Sequence, residues 1–204
     1  MAGISAFASG AFAALVLTIA SVAAHDGKTH TIPVDIAAKT DALPFDIGGP
    51  FTLTDQNGKP RSDTDFRGRF TLVFFGYANC RSICPVGLGR MAAALDDLGP
   101  QGDKIQPLLI SVDPEHDTPE NMRQKLGKIH PRLLGLTGTA EQLQAVAKAY
   151  QVEAKQVSVD PKGKPIFAHG SYIYLMGPDG RLVAIIPPVL GDKQIAGIIR
   201  RHIR

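Results

Sequence analysis

The apolar positions of this chain fall into short blocks whose period changes from one block to the next. Phe51-Thr-Leu-Thr54 alternates and runs into Asp55-Gln-Asn-Gly58, which predicts a strand entering a hairpin turn. Arg69-Phe-Thr-Leu-Val-Phe-Phe75 lacks polar alternation and predicts a strand covered on both faces, as in the middle of a parallel sheet. Leu88, Met91, Leu95 and Leu98 recur at helical spacing. Pro85 suits the first turn of that helix, and Gly99-Pro100 stops it. Ile105 to Val112 is the next expected strand, broken by Asp113-Pro114. Asp117 or Thr118 caps a helix that opens with Pro119-Glu120 and ends before Pro131. A short strand is expected over Leu133 to Leu136. Thr139-Ala-Glu-Gln142 has the form of a capping box ahead of the stripe Leu143, Val146, Ala147 and Tyr150. Ile166 to Leu175 and Leu182 to Ile186 read as two strands joined by the turn Gly177-Pro-Asp-Gly180. From Gly191 a closing helix ends in a basic tip that suits the negative end of its dipole.

Strands and helices alternate and a hairpin closes the series. The expected fold is an α/β sandwich of thioredoxin-like type, with a central mixed sheet, helices on both faces and a C-terminal β-hairpin. That domain spans 45–204, preceded by an extended arm over 25–44 with Pro and Gly but little periodicity. Residues 1–24 are expected to lie outside the fold. From Ala2 to Ala24 there is no charged side chain, and the apolar run Ala11 to Ala20 is interrupted only by Thr18. Ser21-Val-Ala-Ala24 fits the small-residue pattern of a signal peptidase site, so cleavage after Ala24 is expected. An uncleaved anchor is the alternative, since about 20 apolar residues suffice to span a bilayer. Either reading exports the domain, which points to the periplasm, with membrane association through the N-terminal segment under the second. Net charge is only +3, from 22 Lys and Arg against 19 Asp and Glu, so no nucleic-acid partner is expected. A monomer is expected.

The chain has two cysteines, too few for a disulfide scaffold. Cys80 and Cys84 are separated by three residues and sit between a strand and a helix. Sites in open α/β sheets gather at the carboxyl ends of strands. Cys84 falls at a helix N-terminus, where unpaired N–H groups and nearby Arg81 favour a thiolate. A thiolate is both a nucleophile and a soft metal ligand. With one His the pair would form a sulfur–sulfur–nitrogen set suited to copper, whereas structural zinc wants four protein ligands. Six histidines are available: His25, His30, His116, His130, His169 and His202. His130 and His202 belong near helix C-termini, and His116 in the loop between Asp113 and Pro119. His169 is expected to head the strand of the C-terminal hairpin, where spacing alone leaves metal ligand and hydrogen-bonded edge residue equally open. Cleavage after Ala24 would also make His25 the amino terminus, able with His30 to chelate copper(II).

The stretch Gly76-Tyr-Ala-Asn-Cys80-Arg-Ser-Ile-Cys84-Pro85 resembles the signature of the Sco/SenC family. Three further stretches agree: Ser111-Val-Asp-Pro-Glu-His-Asp-Thr-Pro119, Leu133-Leu-Gly-Leu-Thr-Gly-Thr139 and Tyr174-Leu-Met-Gly-Pro-Asp-Gly180. Together they cover about Phe45 to Arg204. The resemblance implies a thioredoxin-fold copper chaperone that helps build the dinuclear copper centre of cytochrome c oxidase. It also implies that His169 is the third copper ligand beside Cys80 and Cys84. Ala168 stands where the family tends to have Asp, and His116 where Arg is usual.

Two functions follow. In the first, the chain carries one copper ion, as copper(I) or copper(II), on Cys80, Cys84 and His169. It passes the ion by ligand exchange to the copper-bearing subunit of cytochrome c oxidase or to another copper chaperone. Asp113 and Asp117 are then expected to hold loops around the site, or more simply to serve as a turn residue and a helix cap. In the second, Cys80 attacks a partner disulfide and Cys84 resolves it, keeping the oxidase cysteines reduced. A peroxidase-like role is disfavoured by the three-residue spacing and by the segment around His169.

Overall fold

The computed structural model describes residues 46–203. The expected leader or anchor over 1–24, the arm over 25–44, and His25 and His30 lie outside the described residues. The chain runs through β1 (Thr52–Asp55), β2 (Pro60–Ser62), β3 (Phe70–Gly76), α1 (Ile83–Leu98) and β4 (Ile105–Ser111). It continues through α2 (Pro119–Leu126), β5 (Leu134–Thr137), α3 (Ala140–Ala149), β6 (Ala154–Val159) and β7 (Pro165–His169). It closes with β8 (Ile173–Met176), β9 (Leu182–Ile186) and α4 (Asp192–His202).

Seven strands form one mixed sheet in the order β2-β1-β5-β4-β3-β8-β9. β3 lies inside it, parallel to β4 and antiparallel to β8. Six of its seven residues are buried, which explains the unbroken apolar run in the sequence. Its side chains feed both faces. Phe74 lies beneath α1, where a Cβ on Gly87 would come within 2.9 Å of its ring. Phe75 points the other way and meets Tyr150 at the end of α3, ring centroids 5.3 Å apart. Each such ring contributes roughly 1.5–3 kcal/mol by leaving water.

The N-terminal hairpin forms as expected, with Gly58 at φ 77° accepting the left-handed turn. Thr139 and Gln142 exchange capping-box hydrogen bonds at the start of α3. Thr118 is the cap of α2, its hydroxyl accepting from the Asn121 N–H. Asp117 is thereby released from capping and turns inward. α2 also stops at Leu126, short of the boundary at Pro131.

One expectation is corrected. Ile166 to Leu175 is not a single strand. Gly170-Ser-Tyr172 interrupts it, with the Gly170 N–H donating to the Glu153 carbonyl. The first part, β7, pairs instead with β6 in a separate two-stranded sheet. β6 has no predictive signal because every one of its residues is exposed. A strand with no core face needs no apolar alternation. His169 therefore ends β7 rather than heading the C-terminal hairpin, which β8 and β9 form as expected.

Candidate metal centre

Three elements converge at the carboxyl end of β3. The strand stops at Gly76, and a turn follows in which the Cys80 N–H donates to the Tyr77 carbonyl. Ser82 is the cap of α1, which puts Cys84 in its first turn. His169 arrives at the end of β7. The ligand atoms of Cys80, Cys84 and His169 all lie within 4.8 Å of one another. The Cys84 sulfur is 3.7 Å from His169 Nε2. Among the described residues this is the one group of three His, Cys, Asp or Glu side chains placed to hold a metal ion. His116, His130 and His202 are not part of it. His116 instead holds Asp113 at 2.9 Å, which raises its pKa. His130 is buried, accepts the Arg132 N–H on Nδ1 and faces Asp96 at 3.5 Å.

Each member is positioned by its surroundings. His169 Nδ1 lies 3.1 Å from the Gly170 carbonyl, so it carries the proton and donates there. That leaves Nε2 with its lone pair toward the sulfurs, the arrangement a ligating imidazole needs. The ring is wedged edge-on between Phe74 and Tyr77, at centroid distances of 6.3 and 6.1 Å. Tyr77 is in turn braced by Phe167 at 5.3 Å. Cys84 depends on Gly76: a Cβ there would stand 2.9 Å from its sulfur. Ala168, one residue before the histidine, is exposed on β7 opposite Lys155.

The cysteine loop is anchored from below by Asp117, which is 1% exposed. Its carboxylate accepts the Ala78 N–H at 3.1 Å and the Ser111 hydroxyl at 2.7 Å. Ser111 in turn accepts the Asp113 N–H. This chain of hydrogen bonds ties the loop after β3 to the loop after β4. Burial pushes the Asp117 carboxyl up to about 6, against the downward pull of those hydrogen bonds. Holding loops is one of the two roles expected for Asp117; the other, the helix cap, is taken by Thr118.

The two thiols are electronically unlike. Hydrogen bonding from Cys84 holds the Cys80 thiol well below its ordinary range, helped by the N–H groups of Ser82 and Cys84. The same interaction, followed by burial, pushes Cys84 up. Negative charge is thus favoured on Cys80 and the proton on Cys84, the reverse of what the place of Cys84 at a helix N-terminus suggests, because burial against β3 outweighs the helix N–H groups. Two soft sulfurs and one imidazole, with no fourth protein ligand among the described residues, make a donor set suited to copper(I) rather than to structural zinc. A larger groove of about 890 Å³ lies between α3, β6–β7 and the loop at Asp113. None of the three candidate ligands lines it.

Residues 39–204 match the SCO1/SenC family model. The mitochondrial protein SCO2 of the yeast Saccharomyces cerevisiae is 39% identical over 139 residues, 67% of this chain and 46% of that protein. The chain spans about half the length of the curated relatives it matches. The structure of ScoI from Bradyrhizobium japonicum with copper bound is 40% identical, covers 76% of this chain and 98% of that one, and superposes with a TM-score of 0.70. A structure of BsSco, described as carrying a disulfide switch and as a member of the Sco family of cytochrome c oxidase assembly proteins, is 26% identical. It covers 78% of this chain and 95% of that one, with a TM-score of 0.60. The expectation of a periplasmic location is corrected by these relatives: those from yeast, mouse and cattle are mitochondrial proteins. The apolar run on which that expectation rested lies outside the described residues. From the match over 39–204 and the shared fold, the chain belongs to the SCO1/SenC family.

Proposed function

We propose that this chain binds one copper ion through the thiolates of Cys80 and Cys84 and through Nε2 of His169, and passes it on during cytochrome c oxidase assembly. The observation that carries the reading is the three-atom group itself: two thiols and an imidazole within 4.8 Å, the imidazole oriented by its bond to the Gly170 carbonyl. The copper held by the Bradyrhizobium relative and the oxidase role named for BsSco support the cargo and its destination. The receiving partner is a copper-bearing oxidase subunit or another copper chaperone, with thiolate and imidazole ligands of its own. Both proteins bind copper through soft ligands, so the ion crosses by exchange of one ligand at a time without becoming free.

The test is metal analysis of the reduced protein with Cys80→Ser, Cys84→Ser and His169→Ala beside the wild type. The expected result is one copper per chain in the wild type and loss in each variant. Wild type without stoichiometric copper would end the carrier reading.

A second reading is favoured by the unequal thiols: Cys80 is pulled toward the thiolate and is the less buried of the two, while Cys84 is pushed toward the thiol, which is the asymmetry a thiol–disulfide oxidoreductase uses. Cys80 would attack a partner disulfide, displacing one partner thiolate, and Cys84 would then displace the other as the Cys80–Cys84 bond forms. His169→Ala separates the two readings. A carrier loses copper with its thiols intact, whereas a reductase keeps its exchange rate.

A further inference from the structure

The two sulfurs sit in unlike surroundings. The Cys80 sulfur lies 3.6 Å from the Ser82 hydroxyl, which must donate when Cys80 is ionised. The backbone N–H groups of Ser82 and Cys84 are directed at it, and the Tyr77 hydroxyl also reaches it. Arg81 and Ser82 beside it are exposed, so this side of the loop is open to a partner. The Cys84 sulfur is instead pressed against β3 at Gly76. It is 2% exposed against 8% for Cys80. His169 Nε2 at 3.7 Å and the Tyr77 N–H are its polar neighbours, and the buried Asp117 carboxylate opposes negative charge there.

From this asymmetry we infer an order for the copper exchange proposed above, on which the inference rests: Cys80 is the ligand that leaves first, and Ser82 and Tyr77 are the positioning residues that receive it. A copper-bound thiolate shares its charge with the metal, whereas a released one keeps it. Donors around a sulfur therefore stabilise the released state more than the bound state. In the step, a thiolate of the partner forms a bond to copper as the bond from copper to Cys80 breaks. Cys80 departs as a thiolate into its ring of donors, and copper keeps its oxidation state. Cys84 and His169 hold the ion throughout. Cys84 is the poorer leaving group, because its released thiolate would face β3 and Asp117 with fewer donors.

The experiment loads reduced wild type, Ser82→Ala, Tyr77→Phe and the double variant with copper(I). Loading is measured first, then affinity against a copper(I) chelator, then the rate of transfer to a short dithiol peptide. All four are expected to load one copper. Each single variant should transfer about fivefold more slowly, the scale of one hydrogen bond, and the double variant more slowly still. Affinity should stay level or rise, because the released thiolate has lost its donors. A merely structural role would loosen the copper instead. Variants that load normally but transfer at the wild-type rate, or hold copper more weakly, would overturn the order while leaving the copper reading intact. A wild type that fails to load would overturn both, and that result is seen before any rate is measured.

Discussion

Replacing Gly76 by Ala probes how tightly the site is built into the sheet. The new Cβ would meet the Cys84 sulfur at 2.9 Å, Phe74 Cε1 at 3.2 Å and Leu109 Cδ1 at 3.3 Å. Carbon and sulfur prefer a separation close to a full ångström longer, and the two flanking side chains block the strand from sliding. Overpacking of this kind costs about 1–3 kcal/mol. For a domain of this size that lowers Tm by about 2–12 °C. Any strain the metal-free protein relieves by swinging the sulfur aside returns when copper draws it back. Copper(I) affinity therefore falls as well, about tenfold for each 1.4 kcal/mol. Gly89→Ala is the matched control. It lies exposed in α1 with nothing within 4 Å of its would-be Cβ. There the change should stabilise by about 0.5–1 kcal/mol, because Ala loses less backbone freedom in a helix. Thermal melting and chelator competition on both variants give the two signs. Should Gly76→Ala match the wild type in both measurements, the sulfur is not seated against β3 as described.

Three further outcomes follow from the same geometry. Limited alkylation at neutral pH should modify Cys80 before Cys84, because Cys80 is held low and Cys84 is pushed up; peptide mass spectrometry showing Cys84 modified first would contradict the assignment. Asp117 makes the metal-free fold pH-sensitive: its carboxyl lies near 6 when folded and near 3.8 when unfolded, so the native state holds the extra proton between those values. Its contribution is full below about pH 4 and is lost as pH rises through 6, at most about 3 kcal/mol. Asp117→Asn should flatten that part of the denaturant-midpoint profile, and an unchanged slope would refute it. His169→Ala should cost copper without costing the fold, because the residue is half-buried at the end of a strand; a Tm drop as large as that of Gly76→Ala would show that it also supports the core.

The sequence declared most of the core. Wherever a segment has one buried face or two, its pattern follows: β3 is a continuous apolar run because both faces are covered, and α3 begins at its capping box. The parts that stayed hidden lack that constraint. β6 is exposed throughout, so nothing in Ala154–Val159 had to alternate, and its partner β7 merged on paper with β8. Of the candidate metal group, the two cysteines were legible from their spacing between a strand and a helix, whereas His169 was one of six histidines and was singled out only by the family resemblance. What supports the three was less plain. Gly76 reads as the end of a strand, and only the packing reveals that it makes room for sulfur. Asp117 reads either as a cap or as a holder of loops, and only the hydrogen bonds decide between them: Thr118 is the cap and Asp117 holds the Ala78 N–H.

The copper site proposed on Cys80, Cys84 and His169 has a coordination shell of its own. X-ray absorption of the reduced, copper(I)-loaded protein tests it most directly. Two sulfur neighbours and one imidazole nitrogen are expected in the wild type, with the nitrogen shell alone lost in His169→Ala. A wild-type spectrum with a single sulfur, or one unchanged by removing His169, would contradict it.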